Sequence, residues 1–504
     1  MTESIHLTPG RLTLDELREV MAGGRAVTLD ESCWPKVEAA ARVVAEAARG
    51  EMPVYGINTG FGSLATTRIA PAQIEELQRR LVLSHMCGLG APLPDPVVRL
   101  ILALKATSLA LGFSGVRRQL MDLLLVLYGH DALPVIPAKG SVGASGDLAP
   151  LAHLAGCLIG HGEIRHAGET RPAAEVLEAI GREPLTLAAK EGLALLNGTQ
   201  VSTALALVGL FRAQAVLEAA LVAGAMSVDA ALGSDVPFDA RLNAARGQRG
   251  QERVAERLRG LLAGSGIRAS HLDCGRVQDP YSLRCQPQVM GACLDLLDAA
   301  AITLGREANG VSDNPLVMAG DGAILSGGNF HAEPVAFAAD QIALALAEVG
   351  SLAERRIALL TDPALSRLPA FLTPEPGLNS GFMLPQIAAA ALASENQHLA
   401  HPMAIDSRPT SANQEDHVSM ATYAARRLLD MAENAAHIVA IELLAAGQGI
   451  ELRRPLESSP PLEAALRRIR EFSAFLRDDR PLAGDITELT GTILDGRFAG
   501  SPVI

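Results

Sequence analysis

From Thr199 to Leu232 the chain runs without a proline and carries Leu, Ala and Val at helical spacing. The pattern recurs over Gln288–Ala308, Glu333–Leu360 and Leu384–Leu399, and continues over Ser411–Gly447. Apolar residues recurring at that spacing predict helices. Thirty-odd helical residues reach about 50 Å. Segments apolar on nearly every face must be covered on nearly every side. The expectation is a mainly α protein, an elongated central bundle of long helices with more apolar surface than one chain covers, and hence an oligomer. Aromatic residues are only 3% of the chain, so the packing falls to small aliphatic side chains that let helices approach closely.

The N-terminal region is different. It is loop-rich and punctuated by glycine. Short helices are expected at Leu14–Met21, Trp34–Arg49, Pro71–Met86, Asp95–Leu111 and Leu148–Leu158, with a small hairpin within Gly160–Pro172. At the other end, Ser411 with Gln414 three residues on, behind Pro409, resembles a capping box opening the last long helix. The tail from Arg453 is more charged and predicts smaller peripheral helices. The chain therefore divides at residues 1–198, 199–452 and 453–504.

Lys and Arg number 43 against 56 Asp and Glu, a net charge of −13. That balance argues against a nucleic-acid partner. Six cysteines are scattered with no Cys-x-x-Cys pair, and the first residues are polar with no apolar leader. Reduced thiols in a cytoplasm are the simple expectation. The apolar runs Val201–Phe211 and Ala219–Val228 are interrupted by Arg212, Glu218 and Asp229. A bilayer span needs about 20 apolar residues, so no membrane association is expected.

Four stretches could carry chemistry. The first is Ala144-Ser145-Gly146, inside Gly140–His153. Three small residues leave the backbone almost unhindered. A tight turn is one explanation. A phosphate loop is a poor one: no Gly-Lys-Ser/Thr follows, and Asp147 would repel an anion at the next helix start. The second stretch is Tyr55 in Tyr-Gly-Ile-Asn-Thr-Gly-Phe-Gly, an irregular glycine-rich loop. The third is Gln278-Asp279-Pro280-Tyr281-Ser282-Leu283-Arg284. Asp279 and Pro280 suggest N-cap and first position of a helix, which places Tyr281 and Arg284 on one face. An arginine there can hold a carboxylate with two bonds. The fourth is Glu415, which could simply complement a helix dipole. His398 and His401 are three apart but lack the carboxylate spacing of a metal hydrolase.

Taken together, these stretches resemble the ammonia-lyase and aminomutase family, from Gly10-Arg11-Leu12 to about Leu456. The resemblance implies that Ala144, Ser145 and Gly146 cyclise to a 4-methylidene-imidazol-5-one electrophile, with no metal and no dissociable cofactor. It implies Tyr55 as the base for the β-proton. Arg284 would meet the substrate carboxylate, with Gln278 and Tyr281 near the amine and the electrophile. Asn197 would bond the ring oxygen, although an N-cap role fits its sequence too. Phe330 would pack beside the electrophile, or simply fill core. His85, after Ser84, and Glu415 match the histidine-acting branch. A carboxylate suits an imidazole N–H, and facing a phenyl ring it would be buried and unpaired at a cost of several kcal/mol. The implied activity is ammonia loss from L-histidine giving trans-urocanate, the opening step of histidine breakdown. The implied assembly is a homotetramer with sites shared between subunits. Ala332 and Arg408 depart from the family pattern, where glycine and an apolar residue are commoner.

Overall fold

The computed structural model describes residues 4–60, 68–272 and 275–498. Phe61 and Gly62 of the Tyr55 loop, and Cys274, lie outside the described residues. The chain is mainly helical and forms two compact units. The first is Met1–Val208, Ala301–Asp340 and Pro402–Arg426; the second is Gly209–Ala300, Gln341–His401 and Arg427–Ile504.

All the small sheets among the described residues lie in the first unit. Ile5–Leu7 pairs in parallel with Val27–Leu29, and the helix Leu14–Ala22 fills the crossover. That helix starts where Thr13 and Glu16 cap each other, Glu16 N donating to Thr13 Oγ1 at 3.2 Å and Thr13 N to Glu16 Oε2 at 2.7 Å. The expected hairpin is Glu163–His166 against Glu169–Pro172. Ala167 and Gly168 turn it with φ of 53° and 83°, the doubly left-handed turn that matches strand twist. Leu133–Pro134 adds a third strand. The helix Asp95–Ala110 is buried continuously from Leu100 to Ala110, and Lys105 is caught inside that run.

The long helices are Gln200–Ala230, Gln286–Ala308, Glu333–Thr361, Met383–Leu399 and Ala421–Glu451. The tail holds Pro460–Phe472 and Ala483–Leu494. In the second unit small residues let backbones meet: a Cβ on Gly250 would lie 2.1 Å from Gly291 O. The same unit buries the ion pair Arg356–Glu442, whose side chains are fully inaccessible.

Three expectations need correction. The last long helix begins at Ala421, not Ser411. Ser411, Ala412 and Asn413 have φ of 48°, 54° and 66°. The Thr410 and Ser411 hydroxyls turn to the Glu415 carboxylate instead of capping a helix. Next, Pro280, not Asp279, is the N-cap of Tyr281–Arg284. The Asp279 carboxylate is taken by Ser234 N at 2.7 Å and Arg276 at 3.1 Å. Finally, Gln200–Ala230, Gln286–Ala308 and Glu333–Thr361 are each long and apolar enough to cross a membrane by length and composition. Arg212, Glu218 and Asp229 are too widely spaced to prevent it. The most apolar window of Gln200–Ala230 is 89% buried within the protein, so that apolar surface serves as core.

Candidate active site

Gly146 shows why the loop at 144–146 is built from small residues. Its φ is 75°, and a Cβ there would lie 2.2 Å from Gly198 O. Gly146 bridges Gly198, and Asp147 N donates to Gly198 O at 2.8 Å. Gly143, with φ of 66°, leaves no room for a Cβ beside Ser419 Oγ. Ser419 Oγ donates to Gly143 O at 3.1 Å, and Met420 N to Val142 O at 2.9 Å. Ala144 is buried and Ser145 half-buried. The loop is thus held from two sides, by Gly198 and by Ser419–Met420.

Ser145 Oγ donates to Glu415 Oε1 at 2.7 Å. Glu415 Oε2 accepts from Thr410 Oγ1 at 2.6 Å and Ser411 Oγ at 2.9 Å. Burial alone would raise the Glu415 pKa. The bonds from Thr410, Ser145 and Ser411, and the nearby His85, outweigh it and hold the carboxyl below its ordinary range. His85 ends the helix Ile74–His85, and its Nδ1 donates to Leu81 O at 2.8 Å. That bond leaves Nε2 as the ring's other nitrogen for a ligand.

Behind the loop, Asp147 is fully buried. Its Oδ2 accepts from Ser202 N at 2.7 Å and Ser202 Oγ at 2.9 Å, and its Oδ1 from Thr422 Oγ1 at 2.6 Å and Ser141 Oγ at 3.0 Å. Burial pushes the Asp147 carboxyl up despite these donors. Lys105 Nζ donates to Asn197 O at 2.5 Å, and burial pushes it down to about 7 against the pull of Asp313 and Asp147. Lys190 is paired with Asp313 at 2.6 Å. Asn197 itself is half satisfied: Nδ2 donates to Asn314 O at 3.3 Å, while the buried Oδ1 has no partner. It follows the helix Glu191–Leu196 as its C-cap and is no N-cap for the long helix, which starts at Gln200.

The structure therefore brings Ser145, Glu415 and His85 together, and joins the Asn197–Gly198 turn to Gly146. Tyr55 and Phe330 are half-buried in the same unit. Phe330 precedes His331, whose ring bonds the His417 carbonyl at 3.1 Å, two residues beyond Glu415. Of the two departures, Ala332 is fully buried and Arg408 pairs with Asp406 at 3.1 Å in solvent. Gln278, Tyr281 and Arg284 belong to the second unit. There Arg284 Cζ lies 4.7 Å from the Tyr281 ring centroid, a cation–π contact that sets the pair on one face as expected. Arg284 Nε is buried and has no partner. Gln278 and Tyr281 are exposed.

Sequence reasoning passed over Thr410 and Ser411 as polar neighbours of Glu415, and over Ser202 and Thr422 as partners of Asp147. Thr410 and Ser411 were readable, as hydroxyls five and four residues before an acid. Ser202 carries no local signal, since it is one of two serines in an apolar helix.

The chain matches the aromatic amino acid lyase family over residues 12–471. It is 60% identical to a histidine ammonia-lyase of Rhodospirillum rubrum over 500 residues, 99% of this chain and 97% of that one. The crystal structure of histidine ammonia-lyase from Trypanosoma cruzi superposes with a TM-score of 0.90 at 40% identity, covering 97% of this chain and 94% of that one. A tyrosine aminomutase from Streptomyces globisporus superposes with a TM-score of 0.93 at 34% identity, covering 98% and 97%.

Proposed function

The chain belongs to the aromatic amino acid lyase family, and on that footing we propose that it removes ammonia from L-histidine to give trans-urocanate. It is a carbon–nitrogen lyase. The observation that carries the substrate is the Glu415 carboxylate, 2.7 Å from the hydroxyl of Ser145. Where the substrate ring lies beside that serine, an ionised carboxylate rewards an imidazole N–H and penalises a phenyl ring.

The residues present fit a methylidene-imidazolone derived from Ala144, Ser145 and Gly146. Gly146 sits where a Cβ would strike Gly198, the close backbone approach that cyclisation of a small-residue loop needs. Once formed, that group would supply an electrophilic carbon able to turn the amine into a better leaving group. Glu415 and His85 then hold and orient the imidazole. The Asn197 amide N–H, not its oxygen, would be the donor to that group's oxygen. Tyr55 takes the β-proton. Arg284, whose Nε is unsatisfied, fixes the carboxylate, with Gln278 and Tyr281 toward the amine. Phe330 packs beside the electrophile.

The same proposal extends to assembly and location. Residues 1–198 carry the electrophile precursor, 199–452 the long helices of an elongated bundle, and 453–504 peripheral helices. The enzyme is a homotetramer whose sites are completed by several subunits. The five described cysteines carry no disulfide, which suits a cytoplasmic enzyme.

The test offers purified protein L-histidine, L-tyrosine and L-phenylalanine and follows the ultraviolet absorbance of each conjugated product, with Ser145→Ala as control. Product from histidine alone, lost in the variant, is expected. Product from tyrosine or phenylalanine would overturn the roles of Glu415 and His85. A β-amino acid released from any of the three would make the enzyme an aminomutase.

A further inference from the structure

Among the described residues, one group of imidazole and carboxylate side chains stands close enough to share an ion, and the elimination chemistry gives it no task. His331, Glu333 and His417 place one ligand atom each within 4.8 Å of the others. The rings of His331 and His417 are stacked, with centroids 5.7 Å apart and 29° between planes. His331 Nε2 lies 3.1 Å from His417 O. A carbonyl only accepts, so Nε2 carries the proton and Nδ1 keeps its lone pair. That bare Nδ1 faces Glu333 Oε2 at 3.9 Å. Oε2 is itself buried and has no hydrogen-bond partner. A buried carboxylate oxygen left unbonded is costly, and an ion is one of few things that would satisfy it.

We propose that His331, Glu333 and His417 bind one divalent transition-metal ion of the zinc type, tying the loop that carries Phe330 to the loop that carries Glu415. Two imidazoles and one carboxylate are a borderline donor set, suited to zinc rather than to magnesium or calcium. Ligands of a tetrahedral ion at about 2.1 Å stand roughly 3.4 Å apart, so a small turn of the exposed His417 ring closes the triangle. The bond from His331 Nε2 to a backbone carbonyl is the outer contact that fixes a metal-binding imidazole's tautomer. Burial pushes the Glu333 carboxyl up, and a cation at Oε2 would reverse that. Three protein ligands leave a fourth position to water. Because 331–333 and 415–417 are separate stretches of chain, the ion acts as a clip between them. It stabilises the folded state by binding there and not in the unfolded chain.

The experiment uses the full-length protein stripped with a chelator and titrated with ZnCl2 by calorimetry, beside Glu333→Gln and His417→Gln. The His417 ring is exposed, so His417→Gln keeps the comparison usable if Glu333→Gln folds poorly. One ion per chain is expected, with at least tenfold weaker binding in both variants and a zinc-dependent rise in melting temperature that His417→Gln lacks. Cobalt in place of zinc should show nitrogen and oxygen ligation without thiolate charge-transfer absorption. Absence of binding, equal affinity in parent and variants, or thiolate absorption would each overturn the proposal.

Discussion

Two wholly buried carboxylates, one in each unit, are satisfied in opposite ways. Glu442 in the second unit faces Arg356 through bonds of 2.5 and 2.7 Å and accepts from Ser227 Oγ at 2.7 Å. Asp147 in the first unit is bonded by Ser202, Thr422 and Ser141, all neutral. The first arrangement cancels charge between two long helices. The second surrounds a carboxyl with neutral donors directly behind the glycine loop. Helical scaffold can be built from matched pairs. A glycine loop turned at φ of 75° and pressed against Gly198 is held by many short, directional bonds from several chain segments. The difference separates what holds the fold from what holds the site, and four substitutions probe it.

The largest effect is expected at the loop. Ser145→Ala removes the only hydroxyl of the precursor. Urocanate formation should fall on the order of 10³-fold or more, while melting temperature stays near the parent's. A variant with near-parental turnover would sink the assignment of the loop.

Glu442→Ala should show the reverse. It leaves Arg356 buried without its counter-charge, at about 3–5 kcal/mol of stability. Denaturant melts should show the loss, and KM for histidine should hold in the folded fraction. If the variant keeps full stability but loses turnover, the division between scaffold and site fails.

Glu415→Gln comes next. It replaces a charged hydrogen-bond partner by a neutral one, a difference of about 1.5–3 kcal/mol, or roughly 10–150-fold in kcat/KM for histidine. The pH profile sharpens this. Glu415 titrates below the ordinary carboxylate range, so it stays ionised to lower pH than a free side chain. Stability from its bonds is present above the ordinary range and lost as pH falls through the lowered folded value. Any acid limb in kcat/KM that belongs to it should lie below the usual carboxylate range and vanish in the variant. A limb unchanged in Glu415→Gln assigns it elsewhere.

The helical scaffold was largely legible in the sequence. Aliphatic residues at helical spacing marked Gln286–Ala308, Glu333–Thr361 and Met383–Leu399 to within two residues. Periodicity is a local signal, and those helices obey it. It misled at Ser411, where the same side chains that open helices by capping were spent on Glu415. The candidate site shows in the sequence as motifs but not as contacts. Nothing in the sequence says that Gly146 meets Gly198, that Ser202 reaches Asp147, or that Lys105 supports Asn197. Each joins positions 50 or more residues apart, set by packing alone. The paired nature of Arg356 and Glu442 was invisible for the same reason.

The smallest expected effect tests the comparison most directly. Asp147→Asn removes the titratable carboxyl but not the shape. An amide can keep its oxygen toward the Ser202 N–H and turn its NH2 toward the hydroxyls of Thr422 and Ser141, which can rotate to accept. At neutral pH the change in stability should be about 1 kcal/mol or less, far from that of Glu442→Ala. The pH dependence gives the sign. Burial raises the Asp147 carboxyl above its ordinary value, so between the ordinary and the raised value the folded chain binds the proton that the unfolded chain has released. Stability from this group therefore rises as pH falls through the raised value. The amide of the variant cannot titrate, and melts of parent and variant compared down a pH series should diverge in the parent's favour toward acid. Parallel curves would mean that Asp147 is as well compensated as Glu442, and the contrast between the two units would disappear.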